Sequence, residues 1–487
     1  MNSFTSKNSS LDVGTDVRKE LSSFTNFSVS FSIISVITGI CSLYGSGLAT
    51  GGPIMLVWGW PIVSCFTLMV ALSMAEICSA HPKGGGPYAW SRLLAGETYG
   101  PLVSWITGWF NLLGQFAIVA GIDFGLAMAI GATYTIFTDP ESGLSSWHIY
   151  LIYLAILVIH GLLNTFTLRG VALLNNISVW WHIAGVLVIG ITLLVASARL
   201  QTPEWVFTAW INETGNSVPY TALIGLLMSQ FTMTGYDASA QMTEETKKAE
   251  VAAPVAIVLS VVVSFVSGWF LILSLTFAIQ DYNAILHTSA SLPVAQLFLD
   301  CIGRPGAMVL LVVVMGAMCF CGNACITSNS RMLYAFAGDK ALPASRIIHR
   351  IHPTYHTPVV AIWVSVAVAA ILGLLSLVSS AAFTAITSLA TVCLDIAYVI
   401  PIACRLYQAS SFSPGPLHLG RGSMPIGIVA FLWVLLTTVG FCLPTSQPVT
   451  LDNMNWAGAL VGTLVIGIMI SWWCGMSRRF TGPTGVE

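Results

Sequence analysis

The chain has 487 residues, of which 18 are Lys or Arg and 20 are Asp or Glu, so 8% are charged and the formal net charge is −2. A soluble globular protein carries roughly 25% charged residues, a surface that a chain with 56% hydrophobic residues cannot supply. A soluble enzyme, a nucleic-acid binder and a disordered protein are thereby excluded, and a polytopic membrane protein remains.

The first 26 residues are polar and lack the n-region and h-region of a cleaved signal peptide. Residues 1–26 are expected to form a disordered cytosolic tail. No charge occurs from Leu21 to Ala75, which leaves room for two spans of about 20 residues each, with Gly51-Gly52-Pro53 as the break. The same reading along the chain gives twelve helices, near 28–50, 53–79, 101–132, 147–166, 174–198, 220–243, 252–279, 306–336, 358–379, 381–402, 424–443 and 456–476. The 11 Cys lie inside apolar runs, except Cys301 in an expected exposed loop. They read as small core residues rather than a disulfide framework.

Threading twelve spans with the N-terminus in the cytosol puts 16 of the 18 cations inside, Lys7, Arg18, Lys19 and Arg169 among them. Only Arg199 and Arg304 fall outside, as the positive-inside rule demands. Both termini are therefore expected in the cytosol. The plasma membrane and an endomembrane such as the vacuole or Golgi stay open.

Ionisable side chains in the hydrocarbon cost roughly 2.5–3.5 kcal/mol each and mark functional candidates. Asp123 falls in span 3, Asp237 in span 6, Asp395 in span 10 and Glu76 at the inner end of span 2, with His160 and His182 in spans 4 and 5. No Lys or Arg lies mid-membrane to neutralise the acids. A His partner, protonation, water contact and helix capping are the alternatives. Asn111, Gln115 and Asp123 share an arc of about 120° on span 3, facing either a translocation path or neighbouring helices.

Span 1 carries Thr38-Gly39 near its centre, and span 6 carries Thr234-Gly235 followed by Tyr236 and Asp237. One such Gly serves close packing as readily as unwinding. Two in matching positions of the two halves point to paired discontinuous helices and a transporter site. Unwound backbone at membrane depth is tolerated where it lines a cavity. Freed N–H groups suit a carboxylate and freed carbonyls suit an ammonium or a metal cation. The glycines at 84–86 are not a phosphate loop, because no Lys-Ser/Thr follows them. His352 and His356 lack further ligands at metal spacing. No metal site and no cofactor is expected.

Several motifs then carry a resemblance. They are FSIISVITGI in span 1, Ala75-Glu76 followed by Pro82-Lys83-Gly84-Gly85-Gly86-Pro87-Tyr88-Ala89-Trp90, Glu244-Glu245-Thr246-Lys247-Lys248-Ala249 after span 6, and Ser330-Arg331-Met332-Leu333-Tyr334 at the end of span 8. Over roughly residues 24–478 the chain resembles the amino acid–polyamine–organocation transporters, and within them the eukaryotic GABA, choline and bidirectional amino acid permeases. The resemblance implies an all-α membrane protein with a five-plus-five inverted-repeat, LeuT-like core and discontinuous helices 1 and 6. The core would occupy 27–402, with halves at 27–199 and 220–402. Two extra helices would follow in 403–476, and a cytosolic tail at 477–487. It implies a secondary active transporter of amino acids or related amines, GABA and neutral amino acids included, with choline or polyamines as the alternative cargo. The partners implied are that substrate, a coupling proton or a sodium ion, and membrane lipid, with no nucleic acid. Oligomeric state is left open. An intramembrane enzyme is the rival from another class, and no motif supports it.

Carried over by position, Thr38, Gly39, Ile40, Cys41 and Ser42 match the unwound substrate-binding segment of span 1. Thr234, Gly235, Tyr236 and Asp237 match that of span 6, and Phe231 matches the aromatic gate. Cys321, Asn323 and Cys325 of span 8 and Gln115 of span 3 are expected to line the pocket. His182 aligns with a span 5 position where some proton-coupled relatives place a Lys. It reads as a proton carrier, a fixed substitute for an ion, or an interhelical hydrogen bond. Asp123 is the second candidate for proton coupling.

Overall fold

The computed structural model describes residues 21–138, 143–166, 168–377, 381–409, 411–450 and 453–483, without the side chains of 168 and 169. Residues 1–20 of the expected tail, with Lys7, Arg18 and Lys19, lie outside the described residues, as do residues 484–487 and the side chain of Arg169.

Ten helices among the described residues are long and apolar enough to cross a membrane. Two further elements bring the total to the expected twelve. One is the 17-residue apolar helix Ala457–Trp473, span 12. The other is span 6, divided into Val218–Gly225, Leu227–Thr232 and Ala238–Gln241. Span 1 is also divided, into Ser23–Ile34 and Val36–Ala49. The remaining spans are Gly52–Ala80 (2), Gly96–Phe137 (3), Ser146–Phe166 (4), Leu168–Ala196 (5), Ala249–Phe277 (7), Pro293–Gly338 (8), Val359–Gly373 (9), Ala382–Tyr407 (10) and Ser423–Gly440 (11).

Helix packing repeats with an offset of five. Span 1 packs on span 7 as span 6 packs on span 2. Span 3 packs on span 10 as span 8 packs on span 5. Spans 2 and 7, 3 and 8, and 4 and 9 pair with their own counterparts. Two five-helix repeats related by a pseudo-two-fold axis produce this pattern. Spans 1, 3 and 10 are the most enclosed. Span 5 instead turns Trp180, Leu187, Val188 and Ile191 outward, an apolar surface suited to lipid.

Span 1 starts at Ser23, ahead of residue 28. The polar residues that read as tail are paired: Ser22 caps the helix by accepting from Thr25 N at 3.1 Å. Asn26 Nδ2 donates to Ser239 O at 3.0 Å and Thr246 Oγ1 at 2.9 Å. Leu21 already exchanges backbone hydrogen bonds with Glu245 and Lys247. Cys301 is buried rather than exposed, because span 8 begins at Pro293 and bends at Gly303, drawing Cys301 onto the Ala278 carbonyl at 3.2 Å. All 11 Cys are free.

At one end of the bundle Thr50–Gly51 pairs antiparallel with Ile211–Asn212. At the other, the short helix Pro87–Leu94 follows the glycine loop, and Tyr88 donates to Asp339 Oδ2 at 2.8 Å. Glu76 sits at this end too. It accepts from Leu419 N at 3.1 Å and from the Ser423 hydroxyl, with Arg405 Nε at 3.9 Å. It ties span 2 to the linker before span 11.

Candidate functional site

The two interruptions face each other. In span 1 the helix breaks at Ser35, which adopts φ 24° and ψ 81°. Thr38, Gly39, Ile40, Cys41 and Ser42 are therefore not unwound; they form the opening turns of the second half-helix. The displacement has a local cause. Ser is a good N-cap, and the Ser35 hydroxyl oxygen accepts from Thr38 N at 3.4 Å and pairs with Thr38 Oγ1 at 2.5 Å. The first-turn N–H groups of Val36–Ala49 thus open at the break, with the positive end of the helix dipole. In span 6 the helix is lost from Met233 to Asp237, with Gly235 at φ 101°. An L-residue is strained there, and a Cβ would also overlap Ile33.

A small cavity lies between the breaks, lined by Ser35, Thr38 and Gly39 of span 1, Ile118 and Ile122 of span 3, and Phe231 and Thr232 of span 6, with Ile33 and Ile34 completing the wall. Its volume of about 10 Å³ is near that of one water, and all these residues are buried. The bundle is closed around the site. Gly39 permits this closure, since a Cβ there would run into the Thr232 side chain.

Cys321 of span 8 donates to Ile33 O at 3.2 Å, beside the break. Cys325 is buried one turn further along span 8. Asn323 turns away, pairing with Asn164 of span 4 at 3.0 Å. Thr234 folds back onto Gln230 O at 2.7 Å. Tyr236 packs its ring 5.1 Å from that of Tyr398, and its carbonyl accepts from Ser30 at 3.0 Å. Ser42 is buried against Gly125 of span 3.

Asp237 does not line the cavity. Its carboxylate accepts from Tyr398 at 2.5 Å, Asn111 and Gln241 at 3.3 Å, and Gln115 at 3.4 Å. Four neutral donors from spans 3, 6 and 10 occupy both oxygens. Gln115 thereby holds Asp237 instead of facing the pocket. Asp395 likewise meets neutral groups, Gln230 at 3.4 Å and Thr437 at 3.5 Å.

His182 lies against the span 1 break. Nε2 is 2.6 Å from Ser35 Oγ, and Nδ1 is 2.7 Å from Ser178 O. Asp123 pairs instead with His160 of span 4. Sequence reading missed Ser35, Ile118, Ile122 and Thr232; it named His160 as an embedded ionisable group but did not pair it with Asp123. For Ser35 the one available signal was its suitability as an N-cap. The two isoleucines, spaced i and i+4, are ordinary apolar residues of a membrane helix.

The profile of the family described as Amino acid permease matches residues 24–467. Amino-acid permease BAT1 of Arabidopsis thaliana is 41% identical, over 96% of this chain and 94% of that protein. The amino-acid permease BAT1 homolog of Oryza sativa subsp. japonica is 38% identical, over 96% and 93%. An uncharacterized amino-acid permease of Schizosaccharomyces pombe is 34% identical, over 96% and 87%. These relatives are named as permeases, which move their substrates across a membrane without chemical change. The broken spans, the five-span offset in packing and these matches agree: the chain is a multi-pass membrane protein of the amino acid permease family, within the amino acid–polyamine–organocation superfamily, and an amino acid transporter rather than an enzyme.

Proposed function

We propose that the chain carries neutral amino acids by alternating access, with the substrate held between the Ser35 and Gly235 breaks. The observation that carries this reading is the character of the cavity wall, made of aliphatic side chains, Phe231 and hydroxyls. Asp237, beside the span 6 break, is taken up by four neutral donors. A zwitterion's carboxylate would meet the N-terminus of Val36–Ala49, and its ammonium the carbonyls freed in span 6. An aliphatic side chain would lie among Ile33, Ile118, Ile122 and Phe231. Choline and polyamines lack the carboxylate and find no acid facing them. GABA keeps both charged ends but has no side chain to fill the apolar wall, and ranks below alanine or valine.

Opening either side would require spans 1, 2, 6 and 7 to rock against spans 3–5 and 8–10, releasing Phe231 from the site. Both termini would lie in the cytosol, as the cation distribution favours, and coupling would be to a proton. His182 acts in this reading by positioning Ser35. The test is counterflow of radiolabelled alanine in proteoliposomes, with unlabelled competitors. Neutral amino acids should compete, and choline, spermidine, lysine and glutamate should not. Equal competition by spermidine would overturn the assignment of substrate class.

A further inference from the structure

Beyond the cavity, one acid and one base meet inside the membrane. Asp123 and His160 are both buried, with His160 Nδ1 3.1 Å from Asp123 Oδ1 and 3.2 Å from Oδ2. Asp237, Asp395 and His182 instead have neutral partners. An acid–imidazole hydrogen bond holds one proton in either of two arrangements with no net charge. It can take a second proton and become singly positive. The other titratable groups facing the pair are Cys319 of span 8, 3.5 Å from His160 Nε2, with Cys325 of span 8 and Tyr153 of span 4 nearby. No Lys or Arg forms an ion pair with Asp123 among the described residues.

Two connections lead away from the pair. Gly322 of span 8 lies flush against it, where a Cβ would overlap Asp123 Oδ1. The preceding residue, Cys321, touches Ile33 O at the span 1 break. One turn of span 8 therefore contacts both the pair and the substrate cavity. Toward the end of the bundle that holds Glu76, further polar groups follow, bonded in part to main-chain carbonyls. Asn164 Nδ2 donates to His160 O at 3.0 Å, and Thr327 Oγ1 donates to Asn164 Oδ1 at 2.6 Å. Arg331 donates to Thr327 O at 3.3 Å and pairs with Glu245 at 3.4 Å.

We propose that the Asp123–His160 pair is the binding site of the coupling proton. His160 accepts the proton, the pair passes from neutral to singly positive, and the proton leaves when the site faces the other side. Span 8 conveys the change to the Ser35 break. The inference rests on the proposed reading of the protein as a proton-coupled carrier.

The experiment uses the full chain in proteoliposomes and reads two quantities. One is alanine accumulation driven by an inwardly directed proton gradient. The other is alanine counterflow at equal pH, which needs the carrier but no net proton movement. His160→Gln and Asp123→Asn should lose gradient-driven accumulation while keeping counterflow close to the unsubstituted protein's. If His160→Gln accumulates alanine as before, the proposal is wrong. It is equally wrong if counterflow falls in step with accumulation, because the pair then serves packing alone. If the unsubstituted protein ignores the gradient yet shows counterflow, proton coupling itself fails and this inference with it, while amino acid transport stands.

Discussion

His182 of span 5 holds the interruption of span 1 through Ser35, with its Nε2 2.6 Å from the serine hydroxyl. Its Nδ1 lies 2.7 Å from the Ser178 carbonyl, which can only accept. In the neutral ring Nδ1 therefore bears the hydrogen and Nε2 accepts from Ser35. The Ser35 oxygen is left to receive Thr38 Oγ1 and Thr38 N. One imidazole thus orients the hydroxyls at the mouth of the second half-helix.

Ser35→Ala removes the helix cap, worth about 1 kcal/mol. It also strands a buried imidazole nitrogen, at about 1–3 kcal/mol. The thermal midpoint in detergent should fall and alanine uptake should drop. His182→Ala should raise the KM for alanine while the pH profile of uptake keeps its shape. A changed profile would give His182 a titrating role instead.

Gly39→Val and Gly235→Val should abolish transport while the protein still reaches the membrane, as read by uptake beside surface labelling. The two differ in cause. At Gly39 the added carbon meets Thr232, so Thr232→Gly should restore part of the activity of Gly39→Ala. At Gly235 the left-handed backbone itself opposes a side chain, by about 1–2 kcal/mol. Trimming Ile33 should rescue little.

Asp237 is a structural acid in this arrangement. Tyr398→Phe deletes one hydrogen bond to a charged group, worth about 1.5–3 kcal/mol. It should lower the thermal midpoint without changing the ranking of competing amino acids. A new preference for or against cationic substrates would show that Asp237 senses the substrate charge after all.

Much of this was legible in the sequence, and the missing parts share a cause. The spacing of charges located twelve spans because membrane insertion is decided segment by segment. The span 6 break was legible because Gly235 has to be Gly. The span 1 break was misplaced by several residues because Thr38-Gly39 marks a close helix contact with Thr232, not the unwinding itself. Asp237's partners Asn111, Gln115 and Tyr398 lie more than a hundred residues away along the chain, so one sequence offers no sign that they converge. Asp123 was singled out by cost, but its partner His160 lies in another span and emerges only from packing.

Phe480 falls in the expected cytosolic tail at 477–487, yet it is buried with its ring 5.1 Å from Trp105 and 6.2 Å from Phe336. Truncating a core Phe to Ala costs about 3–5 kcal/mol. Phe480→Ala should therefore destabilise the protein as strongly as a mid-membrane core substitution, measured as loss of monodispersity on heating. A change within experimental scatter would mean that this segment is not anchored.

The most direct measurement is a density map of the purified protein with bound alanine. This account predicts spans 1 and 6 interrupted at Ser35 and Gly235, the alanine carboxylate at the first turn of Val36–Ala49, and its methyl group toward Ile118, Ile122 and Phe231. Alanine bound elsewhere, or either span running through as a continuous helix, would contradict it.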